Sequence, residues 1–157
     1  MQAPVQIKPT KLADYLEVLT KAAFQSGMSW QVVEAKWDGF RQAFAGFDPK
    51  AVAGFDGDDV ERLSEDTRII RNRAKIEATV HNAGVMLALD GEAGGFVGWL
   101  RGRGAFADTV AALRGEFRFL GDMGAYYFLY VVGERVPPHE EWMAAHPSVA
   151  RTRRTAR

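Results

Sequence analysis

Apolar residues in this chain recur every three or four positions, segment after segment, and no segment sustains the every-second-residue alternation of a half-buried strand. That property confines the fold to helix packed on helix. Leu12, Tyr15, Leu16, Leu19 and Ala23 mark a first helix over Lys11 to Gln25, with Thr10 as its cap. The pattern breaks at Gly27 and resumes with Val32, Val33, Lys36, Trp37, Phe40 and Phe44, so Ser29 is expected to cap a second helix that begins at Trp30. Trp30 is then either ordinary core or a flat apolar face at the mouth of two packed helices, where another ring can stack. Phe117-Arg118-Phe119 alternates briefly, and three residues cannot form a sheet on their own.

Caps and breakers place the remaining boundaries. Pro4 and Pro9 keep Met1 to Lys8 an extended arm. Asp48 caps and Pro49 opens a short helix ending at Gly54, and Phe55 to Asp59 is a turn and cap ahead of Val60 to Leu63. The longest amphipathic stripe, Ile69, Arg73, Ile76, Val80, Ala83 and Leu87, predicts a helix over Thr67 to Leu89. Its start carries Arg68, Arg71, Arg73 and Lys75 around Asn72, which either contact phosphates near the helix's positive end or form a solvated basic face. His81 reads as a hydrogen-bonded structural residue, and Asn82 has no assigned role.

Glycines between Gly91 and Gly104 bracket a short apolar helix, and Phe106 to Leu113 resumes the helical pattern until Gly115. Leu113 to Gly124, followed by the apolar run Ala125 to Val132, reads as helix, tight turn, helix. With Gly121 at the tip and a helix starting near Asp122, consecutive backbone amides are exposed and can bind a phosphate, unless the Asp122 carboxylate occupies them as a cap.

A length of 157 residues suits one domain, taken here as 1–150, with a disordered basic tail over 151–157. Net charge is zero, so any basic surface is local. The chain has no cysteine and three histidines, His81, His139 and His146, which removes disulfides and makes a structural zinc site hard to build. Neither a metal nor a cofactor is expected. No apolar run reaches the roughly 20 residues of a membrane span and none resembles a signal peptide, so a soluble, cytoplasmic protein is expected.

The order of the pieces resembles the DNA-3-methyladenine glycosylase I family of the helix-hairpin-helix glycosylases. The blocks carrying the resemblance are Gln25-Ser26-Gly27-Met28-Ser29-Trp30, Phe47 to Ala53, Asp59 to Leu63, Ile69 to Ala78 with Asn82-Ala83, and Arg118-Phe119-Leu120-Gly121 with Tyr126 and Phe128. Together they extend from about Tyr15 to Gly133.

The resemblance implies an all-α, helix-hairpin-helix glycosylase-like single domain, a monomer that grips duplex DNA containing alkylated bases, flips a damaged purine and hydrolyses its N-glycosidic bond. Trp30 is the stacking position, and Gln25 and Ser29 shape the pocket wall. The hairpin residues Phe119, Leu120, Gly121, Asp122, Met123 and Gly124 hold phosphates, helped by Arg71, Arg73 and Lys75. A cationic alkylated base over an electron-rich indole is favourable by about 1 kcal/mol or more when desolvated.

Departures from the family pattern are as specific as the matches. Ala22 stands where the family places a base-reading glutamate, and the N-terminal zinc ligands and their neighbouring aromatic are missing. His139 is one residue off a ligand position with no cysteine after it, and Pro137 holds the place of the wider superfamily's catalytic aspartate. Glu17, Glu140 and Glu141 are the carboxylates that could substitute, although Glu17 also reads as a solvated surface group. His139 to Met143 is expected to form a last helix closing the pocket, with Trp142 filling volume a metal site would occupy. Two alternatives stay open: a non-catalytic DNA- or damage-binding protein that keeps the glycosylase fold, and an interaction protein that does not use DNA.

Overall fold

The computed structural model describes residues 3–145, and every regular element among them is helical. In chain order these are α1 (Leu12–Gln25), α2 (Trp30–Ala35), α3 (Trp37–Ala43), a 3-10 turn (Ala45–Phe47), α4 (Pro49–Ala53), α5 (Gly57–Leu63), α6 (Arg73–Asp90), α7 (Gly95–Arg101), α8 (Phe106–Glu116), α9 (Asp122–Val131) and α10 (His139–Ala145). The expected all-α fold class is what is found. The end of the 1–150 domain and the 151–157 tail lie outside the described residues.

The long helix α6 is the axis on which α1, α4, α5 and α7 pack, while α9 lies along α1 and carries α8. Its inward face places Ile76, Ala83 and Met86 fully in the core, where they meet the apolar stripes of the surrounding helices. Aromatic rings fill the end of the molecule near α3. Trp37 stacks on Phe40 at 4.8 Å and on Phe47 at 5.4 Å, and Phe44 stacks on both Phe40 and Phe47 at 6.2 and 5.7 Å. Such offset stacks add to area burial and fix ring orientation.

Local signals account for most boundaries. The Asp48 carboxylate accepts from the Lys50 amide and Pro49 opens α4, as its fixed φ favours. Asp56 and Asp59 form a reciprocal capping box on α5. Gly46, at φ 64°, allows the turn between α3 and α4 that an L side chain would resist.

Four expectations need correction. The cap of α1 is Lys11 and not Thr10, because Asp14 reaches back to the amides of both residues, at 2.8 and 3.2 Å. The expected second helix divides at Lys36, which leaves helical geometry at φ −103° and ψ 5° while its ammonium donates to the Thr67 carbonyl. Ser29 occupies the cap position of α2, yet its hydroxyl pairs with Gln31 and not with a backbone amide. Finally, α6 starts at Arg73 and not Thr67, since Asn72 caps it by accepting from the Lys75 amide. Residues 67–72 are turn and loop instead, pressed against α3: a Cβ added to Gly39 would lie 2.2 Å from the Arg68 carbonyl oxygen.

The N-terminal arm is extended, as its prolines dictate, and crosses the end of α9. There the Ile7 amide donates to Val131 O at 2.8 Å and the Gln6 amide group to Tyr130 O at 2.9 Å. The Val131 carbonyl, which α9 leaves without a partner of its own at its C-terminal end, is thereby satisfied, and Tyr130 O, which already accepts from the Gly133 amide at 3.1 Å, gains a second donor.

Candidate functional site

Four tryptophans occur in the chain, and three are core, with Trp37, Trp99 and Trp142 only 3, 7 and 6% exposed. Trp30 is 47% exposed. It stands at the first position of α2, and Gly27, at φ 74°, provides the turn that turns the chain out of α1. Met28 and Val32, also partly exposed at 38 and 44%, extend this apolar face.

The hairpin lies between α8 and α9. At its turn Phe119 adopts φ 58° despite being a bulky residue, and its ring is 42% exposed. A left-handed conformation of this kind costs roughly 1–2 kcal/mol and persists only where the surroundings enforce it. Gly121 is the cap residue of α9 and supplies no side-chain cap. The amides of Asp122, Met123 and Gly124 have no acceptor among the described residues. The Asp122 carboxylate does not compete for them, because Arg114 of α8 holds it at 2.8 Å. Leu120 turns inward instead and is 6% exposed. A cleft of about 620 Å³ runs between Ser26 of the α1–α2 turn and Arg114, Phe117, Phe119 and Gly121 of the hairpin, so the two elements border one concavity. Trp30 does not line that cleft.

The members of the basic run ahead of α6 have different surroundings. Arg73 is tied to Glu61 at 2.6 Å and Glu77 at 3.1 Å, and Arg68 pairs with Asp66 at 2.7 Å. Lys75 is buried, 4% exposed, with its ammonium on the carbonyls of Phe24 at 3.0 Å and Ser26 at 2.5 Å. Burial pushes its pKa down. Arg71 stays exposed with no ion pair among the described residues.

Ala22, in place of the expected glutamate, is 3% exposed and faces α9. A Cβ on Gly124 would lie 3.8 Å from that of Ala22 and 3.0 Å from Leu120 Cδ1, so the two helices meet here through small residues. Glu17 is partly exposed and engaged: one carboxylate oxygen accepts from Trp37 Nε1 at 2.8 Å and Arg41 Nε at 2.7 Å. Glu140 and Glu141 are exposed on α10, with no ion pair among the described residues.

Sequence reasoning missed two polar groups near this crossing. Glu34, one helical turn after Trp30 on α2, forms an ion pair with Lys21, whose ammonium also lies 5.2 Å from the Trp37 ring centre. Tyr127 of α9 shares a side-chain hydrogen bond with Gln25, and burial, with the Glu34 and Glu17 charges adding to it, pushes its phenol up to about 12. Nothing in the sequence marks Tyr127 inside an apolar helix, whereas Glu34 could have been found from its four-residue spacing to Trp30.

The last helix, α10, docks through Trp142, which packs against Phe106 at 5.0 Å and Tyr126 at 6.1 Å; the His139 ring lies 5.4 Å from Tyr126. The Tyr126 hydroxyl donates to Pro137 O at 2.6 Å. The donor set does not fit the family's zinc site: zinc takes four sulfur, nitrogen or carboxylate ligands, the chain has no cysteine, and no cluster of three candidate ligands occurs among the described residues. None of the described helices is long and apolar enough to cross a membrane.

Comparison with known proteins bears on the family and the fold. Residues 9–112 match the methyladenine glycosylase family. The DNA-3-methyladenine glycosylase 1 of Escherichia coli strain K12 is 40% identical over 74 residues, covering 47% of this chain and 40% of that protein. The chain thus spans about 40% of the length of that curated relative. A crystal structure of 3-methyladenine DNA glycosylase I superposes with a TM-score of 0.70 at 27% identity, over 81% of both chains. A 3-methyladenine DNA glycosylase I from Staphylococcus aureus gives a TM-score of 0.72 over 82% of this chain and 80% of its own, and at 24% identity it speaks to the fold alone.

Proposed function

The chain belongs to the methyladenine glycosylase family, and from that premise we propose that it hydrolyses the N-glycosidic bond of alkylated purines such as 3-methyladenine in duplex DNA. The observation that carries this reading is the half-exposed Trp30, set apart from three buried tryptophans and following the turn whose Ser26 borders the hairpin cleft. The flipped base stacks on the indole, with Gln25 and Ser29 at the pocket wall, while the amides of Asp122, Met123 and Gly124, which lack an acceptor among the described residues, take a phosphate oxygen. Arg71 adds a screened contact to the backbone. The protein acts as a monomer in the cytoplasm, without a cofactor.

An alkylated purine nucleotide is cationic, and its glycosidic bond is weakened before the enzyme touches it. Stacking and extraction of the base can therefore supply much of the rate enhancement. Among the described residues the candidate carboxylates are engaged, Glu34 by Lys21 and Glu17 by Trp37 and Arg41, and Ala22 stands where a glutamate is expected. That same observation favours a second reading, damage binding without base release.

Release of free base from methylated duplex DNA, compared between the wild type and Trp30→Ala, separates the two. Release of 3-methyladenine that falls at least about a hundredfold in the variant supports the glycosylase. Absence of release from the wild type, with damaged DNA still bound, establishes the second reading instead.

A further inference from the structure

Buried polar side chains are few, and three of them share one face of α6: Lys75, Thr79 and Asn82, at 4, 1 and 2% exposure. Thr79 turns back onto its own helix and donates to Lys75 O at 2.8 Å. The outer two reach away from it. Lys75 donates to Phe24 O and Ser26 O, the end of α1 and the start of the turn that leads to Trp30. Only burial acts on its charge, with no carboxylate contributing, so compensation comes from the negative end of α1. Its ammonium also lies 5.9 Å from the Phe119 ring centre.

Asn82 grips the hairpin. Its Nδ2 donates to Arg118 O at 3.1 Å and its Oδ1 accepts from the Arg118 amide at 2.9 Å. One side chain thereby fixes both peptide groups of the residue that precedes the strained Phe119. Lys75 and Asn82 are seven positions apart on a continuous helix, two turns, or about 10 Å along its axis.

We propose that α6 is a spacer bar: Lys75 and Asn82 are positioning residues that set the separation between the Trp30 turn and the phosphate-gripping hairpin. A nucleotide held at its phosphates delivers its base to the indole only if that separation is right, and a misplacement of about 1 Å can cost a reaction about a hundredfold. This rests on the glycosylase reading above. Neither residue touches the substrate, and both are withdrawn from solvent by their partners. The buried lysine therefore serves the site from beneath, in contrast to the surface phosphate contact that its place in a basic run suggests.

The test uses the full chain with Lys75→Met, Asn82→Leu, the double variant and the conservative Lys75→Arg. Hydrogen exchange should quicken at residues 24–31 in Lys75→Met and at 117–121 in Asn82→Leu, with α4 and α5 unchanged. Base release under single-turnover conditions should fall about tenfold or more in each, while affinity for undamaged duplex stays within about threefold. The double variant should be little worse than the poorer single one, because a spacer fails as a unit, and Lys75→Arg should recover most of the rate. Where Lys75→Met does not fold, Lys75→Gln takes its place.

Unchanged release in folded variants overturns the proposal and leaves the glycosylase reading intact. A parallel loss of undamaged-DNA affinity overturns it too, by making both residues merely structural. If the wild type releases no base, the glycosylase reading falls. The spacer is then judged on the exchange pattern and on the preference for duplex with an unpaired purine over matched duplex, and persistence of that preference in the variants sinks it.

Discussion

Gly39 and Gly84 both lie inside helices, α3 and α6, yet replacement by alanine should move stability in opposite directions. Alanine is favoured over glycine in a helix interior by about 0.8–1.0 kcal/mol. At Gly84 a new Cβ meets nothing within 4 Å, so the full gain of about 1 kcal/mol should appear. At Gly39 the new Cβ lies 2.2 Å from the Arg68 carbonyl oxygen and 2.9 Å from its Cβ, and one of them must move. The loop cannot yield cheaply. Arg68 is forked onto Asp66, Lys36 holds Thr67 O at 3.0 Å, and the next residue, Ile69, is 1% exposed. Overpacking of this kind costs typically 1–3 kcal/mol, and a backbone obstacle puts it near the top of that range, for a net loss of about 2 kcal/mol. For a domain of this size that corresponds to a fall of about 4–8 °C in Tm for Gly39→Ala, against a rise of about 2–4 °C for Gly84→Ala. Urea unfolding followed by far-ultraviolet circular dichroism measures both. A Gly39→Ala protein as stable as the wild type, or more so, refutes the close approach of α3 to the loop.

Other consequences can be checked as directly. Tyr127 has its phenol raised to about 12 from an ordinary 10.0, so the native state resists its ionisation. Its contribution is fully present below pH 10, the unfolded value, and is lost as pH rises toward about 12; Tyr127→Phe should abolish that part of the alkaline decline, and an identical decline would place the phenol in solvent. Glu17→Gln should reduce stability by about 1 kcal/mol through its bonds to Trp37 and Arg41, with base release within about twofold of wild type. A hundredfold loss of rate in a folded Glu17→Gln protein would instead make that carboxylate catalytic. Excess chelator should leave Tm within about 1 °C of its starting value, and a large fall would mean a metal site is present after all.

Much of the fold could be read along the chain because its signals are local. The cap at Asp48 and the proline behind it act within four residues and fall where the pattern places them, while the box of Asp56 and Asp59, equally local, starts α5 at Gly57, three residues before the expected Val60. What sequence could not reveal depends on partners far away in the chain. Lys75 looks like one member of a basic run until the Phe24 carbonyl, 51 residues earlier, claims its ammonium. Asn82 has no visible purpose until Arg118, 36 residues later, is in place. The sequence pattern puts the start of α6 too early because Ile69 continues the apolar stripe although Asp66 and Asn72 hold that stretch in turns. At the site, Trp30 was legible from the break at Gly27, whereas the engagement of Glu17 was not, because its donors sit 20 and 24 residues away on another helix.

The contrast among the four tryptophans has an optical consequence. Three indoles sit inside the protein, shielded by neighbouring side chains, and one stands at the start of α2, half in water. Its fluorescence lies further to the red and is the first that a neutral quencher such as acrylamide reaches. A purine stacked on that ring would dim this component and shield it, so occupancy of the site could be followed in unlabelled protein by the colour and accessibility of its own light.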